Sequence, residues 1–463
     1  MLYKREYGKE QPYIPLGIFK VRLPIIHYKW EWSEFFQAIL MCATCLGAIP
    51  VLTEVLGVSN DIAWSMVIIN GILYVLHSLL GDPVVPGWIT PSIPLTIAFL
   101  SNYIIGVERT QALVALQLEV GIIFLIFGIT GMASKVITNV PRSLKAGILL
   151  GAGIASIFGE FKEGGRFGIY PIAVTAGILL AYFLLFSHRF RALRKKNKFI
   201  DKLGSFGMLP AVALAIIIGP LAGELPIPNI EIGTFIKLPD IAGIIKTLSP
   251  FSIGFPSLSV FIQAVPMAVM AYIIAFGDFV TSESLVNESN NSRQDELIDF
   301  NANRSNLVSA VRNLIQGLFS PYTQLSGPLW AAVTASISQR YKDGEKAMDS
   351  LVGGMGTFRW TTMLAVATIP IVTLVQPVLP VALSLTLLVQ GYICTRLAMD
   401  ICETETDKGI AGVMGTVIVA KSAAWGLAVG IIMYVLLSGR KTVKAEEKVE
   451  SSISEIDKES LLK

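Results

Sequence analysis

Charge is what this sequence has least of. Only 15% of its 463 residues are Asp, Glu, Lys or Arg, against about a quarter in soluble domains. That is too little to coat a water-facing surface of this size. Hydrophobic residues make up 53% of the chain, and the mean hydropathy is +0.63. Lipid rather than water is the expected solvent for most of it. The net charge of +3 implies no nucleic-acid partner.

Histidine and cysteine are scarce as well. His27, His77 and His188 are scattered, so no metal site is expected. Cys42 and Cys45 form a Cys-x-x-Cys, but inside the apolar run FFQAILMCATCLGAIPVL, with Cys394 and Cys402 far away. A zinc site needs more ligands and a redox motif a strand before it, so these cysteines read as small apolar residues. No Gly-x-x-x-x-Gly-Lys-Ser/Thr loop is present, which excludes an ATPase built on that loop. No cofactor is implied, and no convergent catalytic set stands in the apolar runs, so an enzyme is not the reading. The first 34 residues have no apolar core of a signal peptide, so the first span is expected to stay in the mature protein.

Long apolar runs are what the chain does have. A span takes ~20 such residues. Candidates fall at 35–56, 61–80, 86–100, 110–131, 142–159, 168–187 and 205–222, then at 256–279, 304–319, 326–340, 358–376, 378–398, 409–420 and 422–438. The expectation is an all-α polytopic membrane protein with about fourteen segments in two groups of seven. Lys and Arg orient it. They cluster in the N-terminal segment (Lys4, Arg5, Lys9, Lys20, Arg22, Lys29), between segments six and seven (Arg189, Arg191, Arg194, Lys195, Lys196, Lys198, Lys202) and in the tail (Arg440, Lys441, Lys444, Lys448). Fourteen segments put all three clusters on one face, read as cytoplasmic, in the plasma membrane. The expected division is a cytoplasmic segment 1–34, a first repeat 35–222, an extracytoplasmic connector 223–255, a second repeat 256–438 and a cytoplasmic tail 439–463. A surface helix is expected in SRQDELIDFNANRSN, within the polar stretch 281–303.

Seven spans per half make the halves an inverted repeat. QAILMCATCLGAIP from Gln37 is similar to QAVPMAVMAYIIAF from Gln263, and NVPRSLKAGILLGAGI from Asn139 to VLPVALSLTLLVQGYI from Val378. The third segment of each half is interrupted, by PVVPGWITPSIPL and by SPYTQLSGPLW. Proline removes a donor and disfavours helix before it, so Ser326 or Gly327 is expected to cap a half-helix that starts at Pro328. Unpaired backbone cannot face lipid, and paired broken helices point to a midplane substrate site. Each half-helix start offers free amides and about half a positive charge. The expected binding residues are Trp88, Thr90 and Ser92, then Tyr322, Thr323, Gln324, Ser326 and Gly327, with Gln37 and Gln263 from flanking spans. Polar residues within spans are functional candidates: Glu119 and Asp278 for coupling, and Arg312 as a partner for such an acid.

The two-times-seven layout with broken third and tenth segments resembles the uracil-permease fold. Nucleobase–ascorbate transporters, SulP-type anion transporters and bicarbonate/chloride exchangers share that fold. Gly277-Asp278, closing AYIIAFGDFVTSESL, resembles the Gly-Asp that ends the eighth span of nucleobase transporters. GPLWAAVTASISQR is similar to the tenth span of bicarbonate exchangers. Two departures bear on substrate. Tyr272, Ile273, Ile274 and Ala275 stand where nucleobase transporters carry a mid-span carboxylate, and Ser326-Gly327 where they often carry Glu. SulP proteins carry a C-terminal regulatory domain, whereas a short charged tail follows Leu437 here. The resemblance implies a secondary transporter of a small polar or anionic solute, working by alternating access with a proton, sodium ion or counter-anion, and paired as a homodimer. A proton-coupled xanthine- or uracil-like permease, or an anion channel on the same fold, is the alternative.

Overall fold

The computed structural model describes residues 5–437 apart from 195, 198–199, 201–202 and 205–207. Lys4, Lys195, Lys198, Lys202 and the tail with Arg440, Lys441, Lys444 and Lys448 lie outside the described residues. The protein is mostly helical, 71% of it. Among the described residues six helices are long and apolar enough to cross a membrane: Trp32–Leu56, Asn60–Leu80, Val107–Thr130, Arg142–Ile169, Leu258–Ser292 and Ile369–Ile401. Three shorter apolar helices, Thr90–Leu100, Leu209–Leu221 and Ala423–Leu437, accompany them, and Pro171–Phe186 joins His188–Arg194 at a 62° bend.

The elements that position the site are few. Helix α1 (Trp32–Leu46) leads through Gly47 into α2 (Ala48–Leu56). Helix α3 (Asn60–Leu80) is capped by Ser59, which accepts from the Ile62 amide, and ends on Gly81 at φ 103°. The short α4 (Ile93–Leu100) and long α5 (Val107–Thr130) follow. In the second half come α6 (Leu258–Ser292), α7 (Ala302–Phe319), α8 (Ala331–Lys342) and α9 (Leu351–Ala365). Helices α5 and α7 pack backbone to backbone. Gly121 and Gly128 admit Leu314 and Leu307, and Gly317 admits Leu118, where a Cβ would come within 3.0 Å. Small residues are what allow such approach between membrane helices.

Outside the spans, β1 (Ile14–Leu16) and β2 (Phe19–Val21) form an antiparallel hairpin. Its anchors are polar. The Arg22 amide donates to Leu79 O at 2.9 Å, Lys20 reaches Asp299 at 2.7 Å and Arg5 reaches Asp295 at 2.6 Å.

Three expectations are corrected. SRQDELIDFNANRSN is not a surface helix. Helix α6 runs on to Ser292, residues 293–301 are non-helical, and Asn301 caps α7 by accepting from the Arg304 amide. The extended stretch is fixed by Asn290, which donates to Ile298 O and accepts from Ile298 N, both at 2.8 Å. The segments expected at 358–376 and 378–398 also divide earlier. Helix α9 closes at Ala365, and a new helix starts at Ile369 with Pro370 in its first turn. The cause is the connector: Lys237 N donates to Ala367 O and Ile369 N to Phe235 O, which takes residues 366–368 out of helix. Third, the half-helix expected to start at Pro328 starts at Ala331, for a reason the site supplies.

Candidate functional site

The Pro- and Gly-interrupted stretches of the two halves meet. Gly87–Trp88 (β3) and Ser326–Gly327 (β4) pair antiparallel, Gly87 opposite Gly327 and Trp88 opposite Ser326. Ile89 N donates to Leu325 O at 2.9 Å, and Trp330 N donates to Val85 O at 2.6 Å. The bond from Trp330 N to Val85 O holds residues 328–330 out of helix, and Arg312 occupies Gly327 O, the carbonyl a helix from Pro328 would use for its first bond, so α8 begins only after Trp330. On the other strand a single 3₁₀ turn, Thr90–Ser92, leads into α4. The close crossing depends on two glycines. A Cβ on Gly87 would lie 2.5 Å from Leu329 O, and one on Gly327 would lie 2.9 Å from Ile89 N.

Buried amide side chains hold the crossing. Asn313 Nδ2 donates to Ser326 O at 2.9 Å, and Asn313 Oδ1 accepts from Ser326 N at 3.0 Å. Ser326 Oγ donates to Gln316 Oε1 at 2.6 Å, Gln316 Nε2 to Asn70 Oδ1 at 2.9 Å, and Gln117 Nε2 to Gln316 Oε1 at 3.1 Å. Gln117 Oε1 accepts from Tyr322 N at 2.8 Å. Buried polar groups are costly unless paired, and this chain of amides from α3, α5 and α7 pairs them.

Behind the strands lie two fully buried arginines. Arg312 on α7 donates to Gly327 O at 2.9 Å and reaches Gly87 O at 3.4 Å. Arg359 on α9 donates to Pro86 O. Both guanidiniums sit 4.3 Å from the centroid of the Tyr74 ring, and Arg359 is also 5.3 Å from that of Trp330. Arg312 Nε, Arg359 Nε and Nη1 and Trp88 Nε1 are buried without a partner.

The expected residues divide into two sets. Trp88, Ser326 and Gly327 form the crossing, and Thr90 and Ser92 follow it at once; Ser92 Oγ donates to Ile89 O at 2.7 Å. Tyr322 is buried with its ring 6.4 Å from that of Trp88. Thr323 and Gln324 are buried and bonded to each other at 2.9 Å. Gln37 and Gln263 are not at the crossing. Gln37 donates to Ser336 Oγ on α8 at 3.3 Å, and the exposed Gln263 accepts from Tyr103 OH at 2.7 Å. The expected pairing of Arg312 with an acid is not what the geometry gives, since Arg312 meets backbone carbonyls. Glu119 has a buried carboxylate oxygen without a partner, and Asp278 forms no ion pair among the described residues. Arg359 was missed at the sequence level, as were Asn313, Gln316 and Tyr74. An arginine in TFRWTTMLA, inside an apolar run, was the available signal.

Solved structures similar to this chain are transporter domains. One is the transmembrane domain of a cyanobacterium bicarbonate transporter, BicA, 12% identical, with a TM-score of 0.50 over 86% of this chain and 97% of that one. Another is murine Solute Carrier 26 family member A9, an anion transporter in the inward-facing state, 12% identical, TM-score 0.51, covering 89% of this chain and 70% of that one. A further structure of SLC26A9 is 13% identical, TM-score 0.51, covering 88% and 65%. No protein-family model matches the chain, and no curated protein does. At these identities the likeness shows the fold, which is the one the sequence resembles.

Proposed function

We propose that this chain is a secondary transporter of small anions that works by alternating access, with its substrate held where the half-helices α4 and α8 begin. The observation that carries this reading is the crossing of Gly87–Trp88 with Ser326–Gly327. From it the half-helices α4 and α8 depart; Ile93 N is bonded to Thr90 O and Pro94 has no amide, so the helix-start amides that would meet an anion come chiefly from α8. The similar structures belong, by name, to a bicarbonate transporter and an anion transporter. A nucleobase reading has less support, because the middle of the eighth segment offers Tyr272, bonded to Asn306 at 2.8 Å, where nucleobase transporters carry a carboxylate.

The finer architecture belongs to the same proposal: fourteen segments as a seven-plus-seven inverted repeat, 35–222 and 256–438, joined by the extracytoplasmic connector 223–255. The segment 1–34 and the tail 439–463 face the cytoplasm at the plasma membrane. Two contacts favour inverted halves. Gln37, in the first segment, touches the broken segment of the second half through Ser336, and Gln263, its counterpart, touches the turn that follows that of the first half through Tyr103. Four segments of each half form a core that moves against the rest, in a homodimer, with Glu119 and Asp278 as coupling groups.

The test is flux into proteoliposomes. Saturable anion uptake that is lost in Ser326→Leu is expected. Non-saturating flux would make the protein a channel, and uptake unchanged by Ser326→Leu would remove the site from the crossing.

A further inference from the structure

Two positive charges lie buried behind the crossing with no carboxylate within ion-pair distance among the described residues; Asp82, already held by Arg304 and His77, acts on Arg312 only at longer range. Arg304, nearby on α7, is compensated: it faces Asp82 at 3.3 Å and Asp299 at 3.0 Å. Arg312 and Arg359 pair with no carboxylate among the described residues. They meet the carbonyls of Gly327, Gly87 and Pro86 and the ring of Tyr74, each guanidinium 4.3 Å from its centroid. Carbonyl dipoles and a ring quadrupole ease a buried cation but leave its charge in place. Stranding an ion in an apolar interior costs several kcal/mol unless a counter-charge arrives.

The remaining buried groups lean the same way. Arg359 Nε and Nη1, Arg312 Nε and Trp88 Nε1 are unpartnered and can only donate. Tyr322 joins Trp88 to this cluster through their ring contact at 6.4 Å, and Trp330, which precedes α8, stacks near Arg359. Surplus donors beside surplus positive charge describe a site that lacks an acceptor bearing negative charge.

We infer that Arg359, with Arg312 beside the same Tyr74 ring, is the specificity-determining charge of the site, and that it requires its solute to be a fully charged small anion rather than a neutral polar molecule. This rests on the anion-transport reading and deepens it, because the charge comes from α7 and α9 rather than from the half-helices. Tyr74 is a positioning residue: its ring contacts both guanidiniums where they reach the strand carbonyls.

The experiment is thermal melting of the purified full chain. Sodium chloride, nitrate and sulfate are titrated against sodium gluconate at equal ionic strength, with uracil as the neutral probe. Saturable stabilisation by at least one of the small anions, and none by uracil, is expected. Arg359→Gln is expected to weaken the apparent affinity at least tenfold. Arg359→Lys should recover part of it, and Tyr74→Phe should stay near the parent where Tyr74→Leu does not. An Arg359→Gln protein that binds the anion as well as the parent, while Ser326→Leu does not bind it, overturns the role of the arginine and leaves the half-helix site standing. Unchanged binding in both variants overturns both. If Arg359→Gln does not fold, the parent protein still decides: melting that follows ionic strength alone, or stabilisation by uracil, overturns the inference.

Discussion

Adding one methyl group at the crossing is the sharpest perturbation available. In Gly87→Ala the new Cβ would stand 2.5 Å from Leu329 O, 2.9 Å from Leu329 C and 3.1 Å from Trp330 N. All three neighbours are backbone, so no side-chain rotation relieves the clash. The strands must separate, and overpacking of this kind costs about 1–3 kcal/mol. Separation also stretches the bonds from Arg312 to Gly327 O and Gly87 O, now 2.9 and 3.4 Å. Bonds to charged groups contribute about 1.5–3 kcal/mol each. Losing part of one brings the expected destabilisation to roughly 2–4 kcal/mol, and the binding geometry should go with it.

The control is Gly277→Ala on α6, where a Cβ meets nothing within 4 Å. There the substitution should be neutral or stabilising by up to about 1 kcal/mol, since alanine is the better helix former. The assay is thermal melting in detergent together with saturable anion uptake. A Gly87→Ala protein that melts and transports like the Gly277→Ala protein refutes the reasoning, because a tight strand pair and that result are incompatible.

Other expectations follow from the same geometry. Asn313→Leu leaves Ser326 N and O buried without their partner and should cost about 2–5 kcal/mol, read as a lower melting temperature; a shift no larger than that of an exposed-site variant would count against the amide scaffold. Gln37→Leu loses only contacts to Met41 and Ser336, so anion affinity in the same melting titration should stay within about threefold, under 0.7 kcal/mol, and a tenfold loss would return Gln37 to the site. The hairpin should loosen only in acid. Hydrogen bonding from Arg293, with Arg5 nearby, holds Asp295 below its ordinary 3.8, and bonds from Lys20 and Arg304 outweigh burial to lower Asp299 as well. A lowered carboxylate stabilises fully above its unfolded value and loses that contribution as pH falls through the folded one. Glu296, raised by burial, works in the opposite sense, gaining as pH falls. A nitroxide at Ile18→Cys should therefore stay immobile at neutral pH and gain mobility only below about pH 4; release near pH 6 would contradict the ion-pair account.

How much of this was legible in the sequence follows from range. The breaks at PVVPGWITPSIPL and SPYTQLSGPLW were readable because proline and glycine act on their own backbone. That the two breaks face each other followed from their equivalent places in two halves. The helix start at Ala331 was not readable. Pro328 is locally a sound first residue, but Val85, far away in sequence, takes the Trp330 amide. The end of α9 was hidden in the same way, since the connector fixes residues 366–368. Local propensity lost each time to a hydrogen bond made by a distant segment.

The arginines separate local from collective information most clearly. Arg312 drew notice as a charge near a span, and the natural partner for a charge in lipid is an opposite charge. The structure gives it carbonyls and the Tyr74 ring instead, and brings Arg359 to the same ring. A sequence names the types of residue that can carry charge into a membrane, but whether the charge is cancelled depends on what the fold brings beside it. At Arg304 the fold brings Asp82, and the side chain is structural. At Arg312 and Arg359 no acid stands within ion-pair distance among the described residues, and on the anion reading proposed above the missing half of the pair comes from solution. For that reason the solute's charge, more than its shape, should decide whether it binds.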